Sequence, residues 1–434
     1  MKYKIIGQRH LRKYTAPRTT PVYSARIDVQ AIADTMNVEM DKIPPFTIPP
    51  LPFEDTVEAA NFLNKIRKGL RKPFEEKIFG YIPPRCDELI FKVTSEEAAF
   101  ENLAIRREID IICRHNGMER ILHLLLYIPA NAKGKVPVFF GLNFKGNHAC
   151  TKDPGVTFHP FERYPTLIPG SLRLADGRAS EEERGLVEDR WNFEKALKEG
   201  FATATMCYFD VYPDHPHGFE KSIMRLFYTQ EEWESPERDT GAICAWAWGI
   251  MRAIDCLECQ KELDMDSLTV HGHSRLGKTA LLTGSYDPRI ALTVSNGSGA
   301  CGIKMMHHHY GENFGWVQYW NPHWFRGNFA EVVNKEREID FDFHFLAASI
   351  APRLLYVSDG DMDTYADPEG SFLTCKEAAK AWRIFGEKGL MEKEIPPCGK
   401  LAGKEIGYYL RKGDHAFTGE NWDMLIQFAK KHFC

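Results

Sequence analysis

The stretch that decides the fold is Ser267-Leu-Thr-Val-His-Gly-His-Ser274-Arg-Leu-Gly-Lys278-Thr-Ala-Leu-Leu282. Its β-branched start predicts a strand, and its end is rich in good helix formers. Between them, Gly272-His-Ser274 predicts a sharp turn that points the serine hydroxyl out of the sheet. Such a serine can act as a nucleophile, and the amide behind it can donate to an oxyanion. A plain strand–turn–helix explains a Gly-x-Ser match about as often, and Gly277 lies one residue further from Ser274 than in the usual nucleophile elbow.

The order of chemical groups along the chain strengthens the case for this serine. An acid-rich loop occupies residues 359–367, and Gly413-Asp-His415 follows near the end. Serine, acid and histidine in this order are typical of the α/β-hydrolase fold. Asp363 is the favoured acid because it follows a predicted strand, at the carboxyl edge of the sheet. The same loop offers three more candidates, Asp359, Asp361 and Asp367. The last of these also suits the cap of the next helix.

Composition narrows the class of protein. The chain has 434 residues, of which 44% are hydrophobic, and a net charge of −5. This apolar content is enough for one large enzyme domain, and the lack of a basic stripe or tail predicts no nucleic-acid partner. No apolar run approaches the length of a membrane span, so no membrane partner is expected. The oligomeric state is left open.

Cysteine usage and the amino terminus bear on the cellular compartment. The eleven cysteines lack paired spacing, and several lie inside apolar runs. This pattern favours reduced, buried thiols over a disulfide framework. The first ten residues lack the apolar run and the small-residue cleavage site of a signal peptide. We therefore expect a cytoplasmic protein, although a secreted chain trimmed of its signal would begin in the same way.

Periodicity divides the chain into an arm and one domain. Residues 1–53 are rich in proline and poor in periodicity, and they predict an extended arm that is not an independent domain. Residues 54–434 alternate strand and helix after an antiparallel start. This predicts a three-layer α/β-hydrolase sandwich, with a mostly parallel sheet and helices on both faces. The segments 150–190 and 210–238 are long, polar and without periodicity, and loops of this length are often functional.

The boundaries of the elements follow from the apolar patterns. The predicted strands are Glu88–Val93, Ala104–Cys113, Arg120–Ile128, Val136–Asn143, Phe201–Phe209, Arg289–Asn296, Arg353–Ser358 and Lys404–Arg411. The predicted helices are 54–78, Trp191–Gly200, Ala242–Glu262, Phe372–Gly386 and Asn421–Phe433.

Several stretches occur together in an order that resembles one known family. They are Phe140-Gly-Leu-Asn-Phe-Lys-Gly-Asn-His148, Gly241-Ala-Ile-Cys-Ala-Trp-Ala-Trp-Gly249 with Arg252-Ala-Ile-Asp255, Gly272-His-Ser-Arg-Leu-Gly-Lys278, Asn296-Gly-Ser-Gly-Ala-Cys-Gly302, Pro322-His-Trp-Phe325, Ala366-Asp-Pro-Glu-Gly370 and Asp414-His415. Over roughly residues 55–434, the chain is similar to bacterial-type members of the glucuronoyl esterases. These are carbohydrate esterases of α/β-hydrolase fold that attack esters of glucuronic acid.

The resemblance implies roles for individual residues. Ser274 stands at the position of the nucleophile and His415 at that of the general base. Arg275 matches an arginine whose side chain and amide assist the oxyanion. Lys278 and Glu312 match residues that contact the sugar hydroxyls. The family's sugar contacts are thus expected on both sides of the serine.

One departure from the family concerns the acid. The family's acid usually follows the strand after the nucleophile helix, where this chain has Gly297. Some members carry an acid two strands later instead or in addition, and Asp363 lies there. The sugar-stacking tryptophan of the family is Tyr365 here. His273 and Arg326 replace two cysteines found in some members, which agrees with a reduced interior.

Further residues complete the expected site. The second oxyanion donor should be a backbone amide near Asn143 or Phe144, in the loop after the strand that they end. Trp324 is assigned to core packing, whereas the roles of Trp316 and Trp320 are left undecided between packing and sugar binding. Trp320 is included among the expected substrate contacts, because aromatic rings also form platforms for sugars. A second eye-catching run is His307-His-His309. It predicts a polar loop rather than a metal site, because adjacent side chains project in different directions.

Taken together, the sequence predicts a serine carboxylesterase that hydrolyses esters of glucuronic acid or related uronates on saccharides. It would act through an acyl-enzyme, without a metal or organic cofactor, and its partner would be a saccharide or small-ester substrate. An esterase that removes acetyl groups from sugars is one alternative, because the catalytic groups impose little restriction on the alcohol that leaves. A carbohydrate-binding pseudoenzyme is an alternative of another class, because Gly297 stands where the acid is usual.

Overall fold

The computed structural model describes residues 36–54, 56–161 and 179–433. The first 35 residues of the predicted arm therefore lie outside the described residues. The strands are β1 Glu88–Ala99, β2 Ala104–His115, β3 Met118–Pro129, β4 Val136–Asn143, β5 Ala202–Cys207, β6 Leu263–His273, β7 Leu292–Asn296, β8 Leu354–Gly360, β9 Leu401–Gly403 and β10 Ile406–Arg411. The α-helices are α1 Ala59–Asn61, α2 Arg67–Lys77, α3 Glu188–Trp191, α4 Phe193–Lys198, α5 Tyr208–Val211, α6 Gln230–Glu234, α7 Ala242–Leu257, α8 Arg275–Tyr286, α9 Phe314–Trp320, α10 Phe343–Ala348, α11 Pro368–Ala378, α12 Lys380–Arg383 and α13 Gly419–Phe433. A π-helical turn, Phe62–Ile66, joins α1 to α2.

A single sheet organises the described part of the chain. Its ten strands lie in the order β1-β2-β3-β5-β4-β6-β7-β8-β10-β9. Six neighbouring strands run parallel to one another, namely β5, β4, β6, β7, β8 and β10. The pairs β1–β2, β2–β3, β3–β5 and β9–β10 are antiparallel. The α/β class and the mostly parallel sheet predicted from the sequence are thus confirmed.

The antiparallel start of the sheet follows from its turn chemistry. Asn116 and Gly117 both adopt positive φ angles, 52° and 72°, between the paired residues His115 and Met118. A two-residue Asn-Gly loop of this kind matches the right-handed twist of the strands that it joins. The hairpin therefore fixes the register of β2 and β3.

Helices cover both faces of the sheet because the central strands are apolar on both sides. In β4, Val138 and Phe140 belong to the core beneath α7 and α8, whereas Phe139 belongs to the core beneath α13. The Phe139 ring meets that of Trp422 at 5.4 Å. Successive residues of a strand point to opposite faces, so one unbroken apolar run serves both layers.

Several boundaries differ from the predicted ones. Helix α7 ends at Leu257 rather than at Glu262, because the chain turns at Gln260 to begin β6. Helix α11 begins at Pro368 rather than at Phe372, because Asp367 caps it by accepting the Gly370 amide at 2.9 Å. The short edge strand β9 was not predicted.

Two further observations concern the sequence predictions on thiols and membranes. Among the described residues, the cysteines are free thiols, and most of them are buried, with Cys259 and Cys398 exposed. Within the same residues, none of the helices combines the length and the apolar character that crossing a bilayer requires.

Candidate active site

The serine predicted as nucleophile lies on a strained turn between β6 and α8. Ser274 has φ 58° and ψ −129°, a backbone conformation that non-glycine residues rarely adopt and that is typical of functional sites. Gly272 is required two residues earlier, because a Cβ there would overlap the Leu276 carbonyl. A Cβ on Gly277 would come within 3.1 Å of the Asn296 carbonyl, so the displaced second glycine serves the close packing of α8 on β7.

The backbone amides of Ser274 and Arg275 differ in their hydrogen bonding. The Ser274 amide donates to the Asn296 carbonyl at 2.9 Å. Arg275 is the first residue of α8, so its amide has no partner within the helix. This is the amide that the sequence assigned to an oxyanion.

His415 and Asp363 lie together at the carboxyl edge of the sheet. Nδ1 of His415 donates to Oδ2 of Asp363 at 2.6 Å, and the carboxylate is buried while the imidazole is half exposed. The Ala366 amide donates to the other carboxylate oxygen at 3.3 Å. These contacts hold a carboxylate against one nitrogen of the imidazole and leave Nε2 as the nitrogen for a proton taken from elsewhere.

The other acids of the loop are bonded elsewhere. Asp361 accepts the Gly413 amide at 2.7 Å, and Asp367 caps α11. Asp359 is buried and accepts from the Tyr408 hydroxyl at 3.3 Å. Burial, together with the neighbouring Asp363, raises the pKa of Asp359 well above its usual range.

Gly297 lies directly beside the His415–Asp363 pair. A Cβ at this position would come 3.2 Å from Nδ1 of His415 and 3.4 Å from the Asp363 carboxylate. Its φ of +49° also favours glycine. The position where the family usually carries its acid is thus adjacent to the same imidazole.

His273 contacts the same imidazole from the nucleophile strand. Its ring centroid lies 4.4 Å from that of His415, and its Nδ1 lies 2.5 Å from the Asn296 Oδ1. Asn296 in turn donates to the Ser358 carbonyl at 2.9 Å, which orients the amide oxygen toward His273. Burial, followed by the neighbouring His415, holds the pKa of His273 well below its ordinary value. The sequence had identified this residue only as a replacement for a cysteine.

Asp214 is a residue of the site that the sequence reasoning missed. Its buried carboxylate accepts from the Arg275 guanidinium, the Trp324 indole at 2.7 Å, His323 at 2.9 Å and the Tyr208 hydroxyl at 3.1 Å. Burial favours a higher pKa, but the charges and hydrogen bonds of Arg275 and His323 outweigh it and hold the pKa of Asp214 well below its usual range. The one sequence signal was its place in the long polar segment 210–238.

Arg275 is therefore fixed from several directions. Its guanidinium carbon lies 5.0 Å from the centre of the Trp324 ring and 5.9 Å from that of Phe144. Trp324, assigned to core packing, is buried and also binds Asp214. The side chain next to the nucleophile is thus a largely buried, paired cation whose position depends on these neighbours.

The loop after β4 lies beside the elbow that carries Ser274. The side-chain oxygen of Asn143 accepts the amides of Lys145 and Gly146 at 3.2 and 2.8 Å, which shapes the turn. The ring of Phe144 lies 6.5 Å from that of His273. The structure therefore brings both predicted donors of this loop beside the elbow, with the Asn143 side chain used to build the loop.

Lys278 and Glu312 lie together, but Lys278 is buried. Its Nζ donates to the carbonyls of Ser298 and Ala300, the latter at 2.7 Å, and lies 3.6 Å from the Glu312 carboxylate. Burial lowers the pKa of Lys278, and Glu312 opposes this shift. The two carbonyls draw this side chain inward, so Lys278 lies beneath Glu312 rather than at the surface.

Three aromatic residues, Tyr365, Trp316 and Trp320, pack against one another next to Glu312. Tyr365 is 40% exposed, and its ring centroid lies 6.1 Å from that of the half-buried Trp316. Trp320 packs behind Trp316 at 5.7 Å and is 5% exposed. The structure thus places Tyr365 and Trp316 at the surface, while Trp320, expected among the substrate contacts, offers little ring surface.

The histidine run does not converge on one point. His307 donates to Asp342 at 2.6 Å and His308 to Asp367 at 2.8 Å, and both rings are buried. Among the described residues, no group of three or more histidine, cysteine or carboxylate side chains could hold a metal ion. The run therefore anchors the loop that leads to Glu312.

Comparisons with known proteins agree with this geometry. A family model described as glucuronyl esterase of fungi matches residues 221–386. A carbohydrate esterase from an unknown prokaryotic organism is 35% identical over 419 residues, which cover 95% of this chain and 96% of that protein. A promiscuous CE15 esterase from a marine bacterial metagenome superposes with a TM-score of 0.83 at 34% identity, covering 92% of this chain and all of that one. A glucuronoyl esterase from Solibacter usitatus does so with a TM-score of 0.83 at 32% identity, covering 91% of this chain and all of that one.

Proposed function

This chain belongs to the glucuronoyl esterase family of carbohydrate esterases, and from that premise we propose that it hydrolyses uronate esters through Ser274, His415 and Asp363. The observation that carries the proposal is the imidazole of His415, which a buried carboxylate holds at 2.6 Å and which contacts His273, the residue before the serine of the strained elbow. A serine hydroxyl is a weak nucleophile until a histidine accepts its proton, and the carboxylate fixes the tautomer of that histidine.

In the proposed acylation step, the Ser274 oxygen attacks the ester carbonyl while Nε2 of His415 takes the hydroxyl proton. Asp363 stabilises the imidazolium through the bond to Nδ1. Negative charge then develops on the carbonyl oxygen, where the Arg275 amide and the loop of Asn143 and Phe144 act as donors. Collapse of this intermediate breaks the bond to the alcohol, which leaves with the proton from His415.

Deacylation repeats these steps with water. His415 accepts a proton from water, and the resulting hydroxide equivalent attacks the acyl-enzyme carbonyl. The second intermediate collapses, the Ser274 oxygen regains its proton from His415, and the uronic acid is released. Each half of the cycle thus returns the imidazole to its neutral form, as in other serine hydrolases.

We propose that the groups around Glu312 hold the sugar. Lys278 is buried, is fixed by two carbonyls and lies 3.6 Å from Glu312, so it orients the carboxylate that accepts hydrogen bonds from the sugar hydroxyls. Tyr365 and Trp316 supply an exposed aromatic surface for the sugar ring. Trp320 then acts by supporting Trp316 from behind.

A serine-reactive fluorophosphonate probe tests the catalytic part of the proposal. We expect stoichiometric labelling at Ser274, and none in Ser274→Ala. A folded wild-type protein that stays unlabelled would instead favour a carbohydrate-binding protein without catalysis.

A substrate comparison tests the uronate part. We expect benzyl glucuronate to be hydrolysed and acetylated xylo-oligosaccharides to be poor substrates. Glu312→Gln should lower kcat/KM for the glucuronate ester by about 10- to 100-fold, because a hydrogen bond to a charged group is lost. Hydrolysis of p-nitrophenyl acetate, which has no sugar to hold, should change little. Equal losses on both esters would remove Glu312 from the sugar site.

A further inference from the structure

A cavity lined by basic side chains lies at the amino ends of the parallel strands, whereas Ser274 lies at their carboxyl ends. Its volume is about 250 Å³, and four cationic side chains line it, namely Arg67, Lys68, Arg71 and Arg353. Helix α2 forms one wall, and the segments that follow α8 and precede β8 form the other. Because these segments enter the amino ends of parallel strands, the cavity and the nucleophile are on opposite edges.

Three of the cations are anchored by neutral groups. Arg67 donates to the carbonyl of Ala351, and Arg71 donates to that of Ser285 at 2.8 Å. Arg353 donates to the carbonyls of Asp287 and Ile290 at 2.9 and 2.8 Å. These bonds fix the guanidinium groups in place, and the last carbonyls of α8, where a helix carries roughly half a negative charge, balance only part of their positive charge.

Within the described residues, the cations of the cavity have no direct carboxylate partner, although the charge of Asp287 acts on Arg353 from outside the cavity. No Asp or Glu from those residues lines the cavity or forms an ion pair with Arg67, Arg71 or Arg353. Glu75, one turn beyond Arg71, accepts from the hydroxyl of Tyr286 instead. Placing like charges together in this way is unfavourable unless an anion lies between them.

The pKa values of these arginines and their unpaired Nε atoms also indicate that the described residues do not fully balance the cations. Burial, followed by the neighbouring Arg67, lowers the pKa of Arg353 to about 10. Burial, followed by Arg71, also lowers the pKa of Arg67. The buried Nε atoms of all three arginines have no hydrogen-bond partner in the part of the chain that the structure describes. These arginines therefore keep positive charge at the wall of the cavity, and their polar groups are not all satisfied by the described part of the chain.

Helix capping explains only part of this arrangement. The contacts of Arg353 and Arg71 with the end of α8 would suit a structural role alone. They do not account for Arg67 and Lys68, which make no contact with that helix end in the bonds described above. The convergence of four cations on one cavity needs a further partner.

We propose that this cavity binds a compact oxyanion that carries two or more negative charges, such as a phosphate group. Guanidinium forks match phosphate oxygens in pairs, and several fixed arginines suit a dianion better than a monocarboxylate or chloride. The site is separate from ester hydrolysis, which occurs at the other edge of the sheet.

Thermal unfolding in different salts of equal ionic strength tests the site. We expect sodium phosphate and sodium sulfate to raise Tm saturably by roughly 1–3 °C, whereas sodium acetate and sodium chloride should not. Calorimetric titration with inorganic phosphate and with glycerol phosphate would distinguish free phosphate from a phosphate monoester as the source. Equal shifts in all four salts would overturn the proposal.

Charge-removing variants localise the effect. Arg67→Gln and Arg71→Gln should each weaken the Kd for phosphate by about 10- to 100-fold, because a charge-assisted hydrogen bond is lost. Lys72→Gln, on the same helix but with an exposed side chain outside the cavity, should keep the wild-type Kd. Turnover of p-nitrophenyl acetate should stay unchanged in all three, which shows that they are folded. Should an arginine variant fail to fold, Lys68→Gln provides the same comparison. Wild-type affinity in the cavity variants, or an equal loss in Lys72→Gln, would refute the site.

Discussion

At the scale of single residues, the acid of the site is the first thing to test. Asp363→Asn replaces the carboxylate that accepts from His415 by an amide, which favours the wrong imidazole tautomer. We expect turnover to fall by about 10⁴-fold with Tm nearly unchanged. Steady-state kinetics on a glucuronate ester, combined with thermal unfolding, would measure both.

Asp359→Asn is the matched control. Asp359 is bonded to the Tyr408 hydroxyl rather than to His415, burial raises its pKa well above its usual range, and an amide has nearly the same shape. Turnover close to that of the wild type is expected. A collapse of turnover in this variant, with normal turnover in Asp363→Asn, would transfer the role to Asp359.

Asp214 supports a second prediction at the same scale. Asp214→Asn leaves the largely buried guanidinium of Arg275 without its counter-charge, and breaking a fully buried pair from one side costs up to about 3–5 kcal/mol of stability. The mispositioned arginine should also lower kcat by about 10- to 100-fold, on glucuronate esters and on p-nitrophenyl acetate alike.

The KM values separate positioning from binding in this variant. An unchanged KM is expected for the glucuronate ester, because the carboxylate contacts Arg275 rather than the sugar site. Glu220→Gln, an exposed acid of the same segment, is the control and should match the wild type. A rise in KM with unchanged kcat would contradict the positioning role.

The same residues show what sequence can and cannot predict of a site. Ser274, Asp363 and His415 carry local signals: an elbow, an acid after a strand and a histidine near the end. Asp214 and His273 act through contacts with residues distant in sequence or with rings stacked in space. No spacing rule connects Asp214 with Arg275, 61 residues later, so this contact required the fold.

At the scale of elements, β6 supports a prediction on pH. His271 and His273 alternate with Gly272, so both side chains point to the same face of the strand. Burial lowers the pKa of His271 to about 3 and that of His273 well below its usual range. The unfolded chain binds these protons near pH 6.5, so the free energy of unfolding should fall as pH drops below about 6.5, by about 1.4 kcal/mol per pH unit and group.

His271→Phe isolates one of these groups, because a phenyl ring keeps the edge-to-face contact with Trp422 and the stacking on Phe417 but cannot titrate. Urea unfolding between pH 4 and 7 should show a shallower pH slope for this variant than for the wild type. His217→Asn, at an exposed histidine, should keep the wild-type slope. Parallel slopes for all three proteins would show that His271 is not buried in its neutral form.

Element boundaries were predicted best for an apolar run that is buried on both faces of the sheet. The apolar run of β4 was placed exactly where the structure has it, because a strand buried on both faces needs no partner information. Strand β9 was missed because three residues carry no periodicity, and it forms by pairing with β10. The π-helical turn Phe62–Ile66 likewise has no sequence rule that sets it apart from the helix around it.

At the scale of the whole molecule, the amino-terminal segment reaches the proposed sugar site. Asn37 donates to the His309 carbonyl at 3.1 Å, and its own carbonyl accepts the Gly311 amide at 2.7 Å. The next amide, that of Glu312, donates to the Tyr365 carbonyl at 3.0 Å. Asn37→Ala removes the side-chain bond, so KM for glucuronate esters should rise by roughly 2- to 10-fold.

Two comparisons check this long-range role. Glu39→Gln, an exposed neighbour in the same segment, should leave KM unchanged. Hydrolysis of p-nitrophenyl acetate should be equal in both variants and the wild type. A lower kcat on both esters in Asn37→Ala would mean that the segment supports the fold rather than the sugar site.

Helix α8 begins beside Ser274 and ends at Tyr286, so its twelve residues span about 18 Å between the two edges of the sheet. A helix carries an electric dipole equivalent to roughly half a positive charge at its first turn and half a negative charge at its last. The carbonyls of Gly284 and Ser285 at the negative pole are bonded to Arg353 and Arg71. The negative pole is thus neutralised by the protein itself, and the positive pole is the end left to act on charge at the serine. Side chains far from the reacting atoms thereby shape the electric field in which the ester is cleaved.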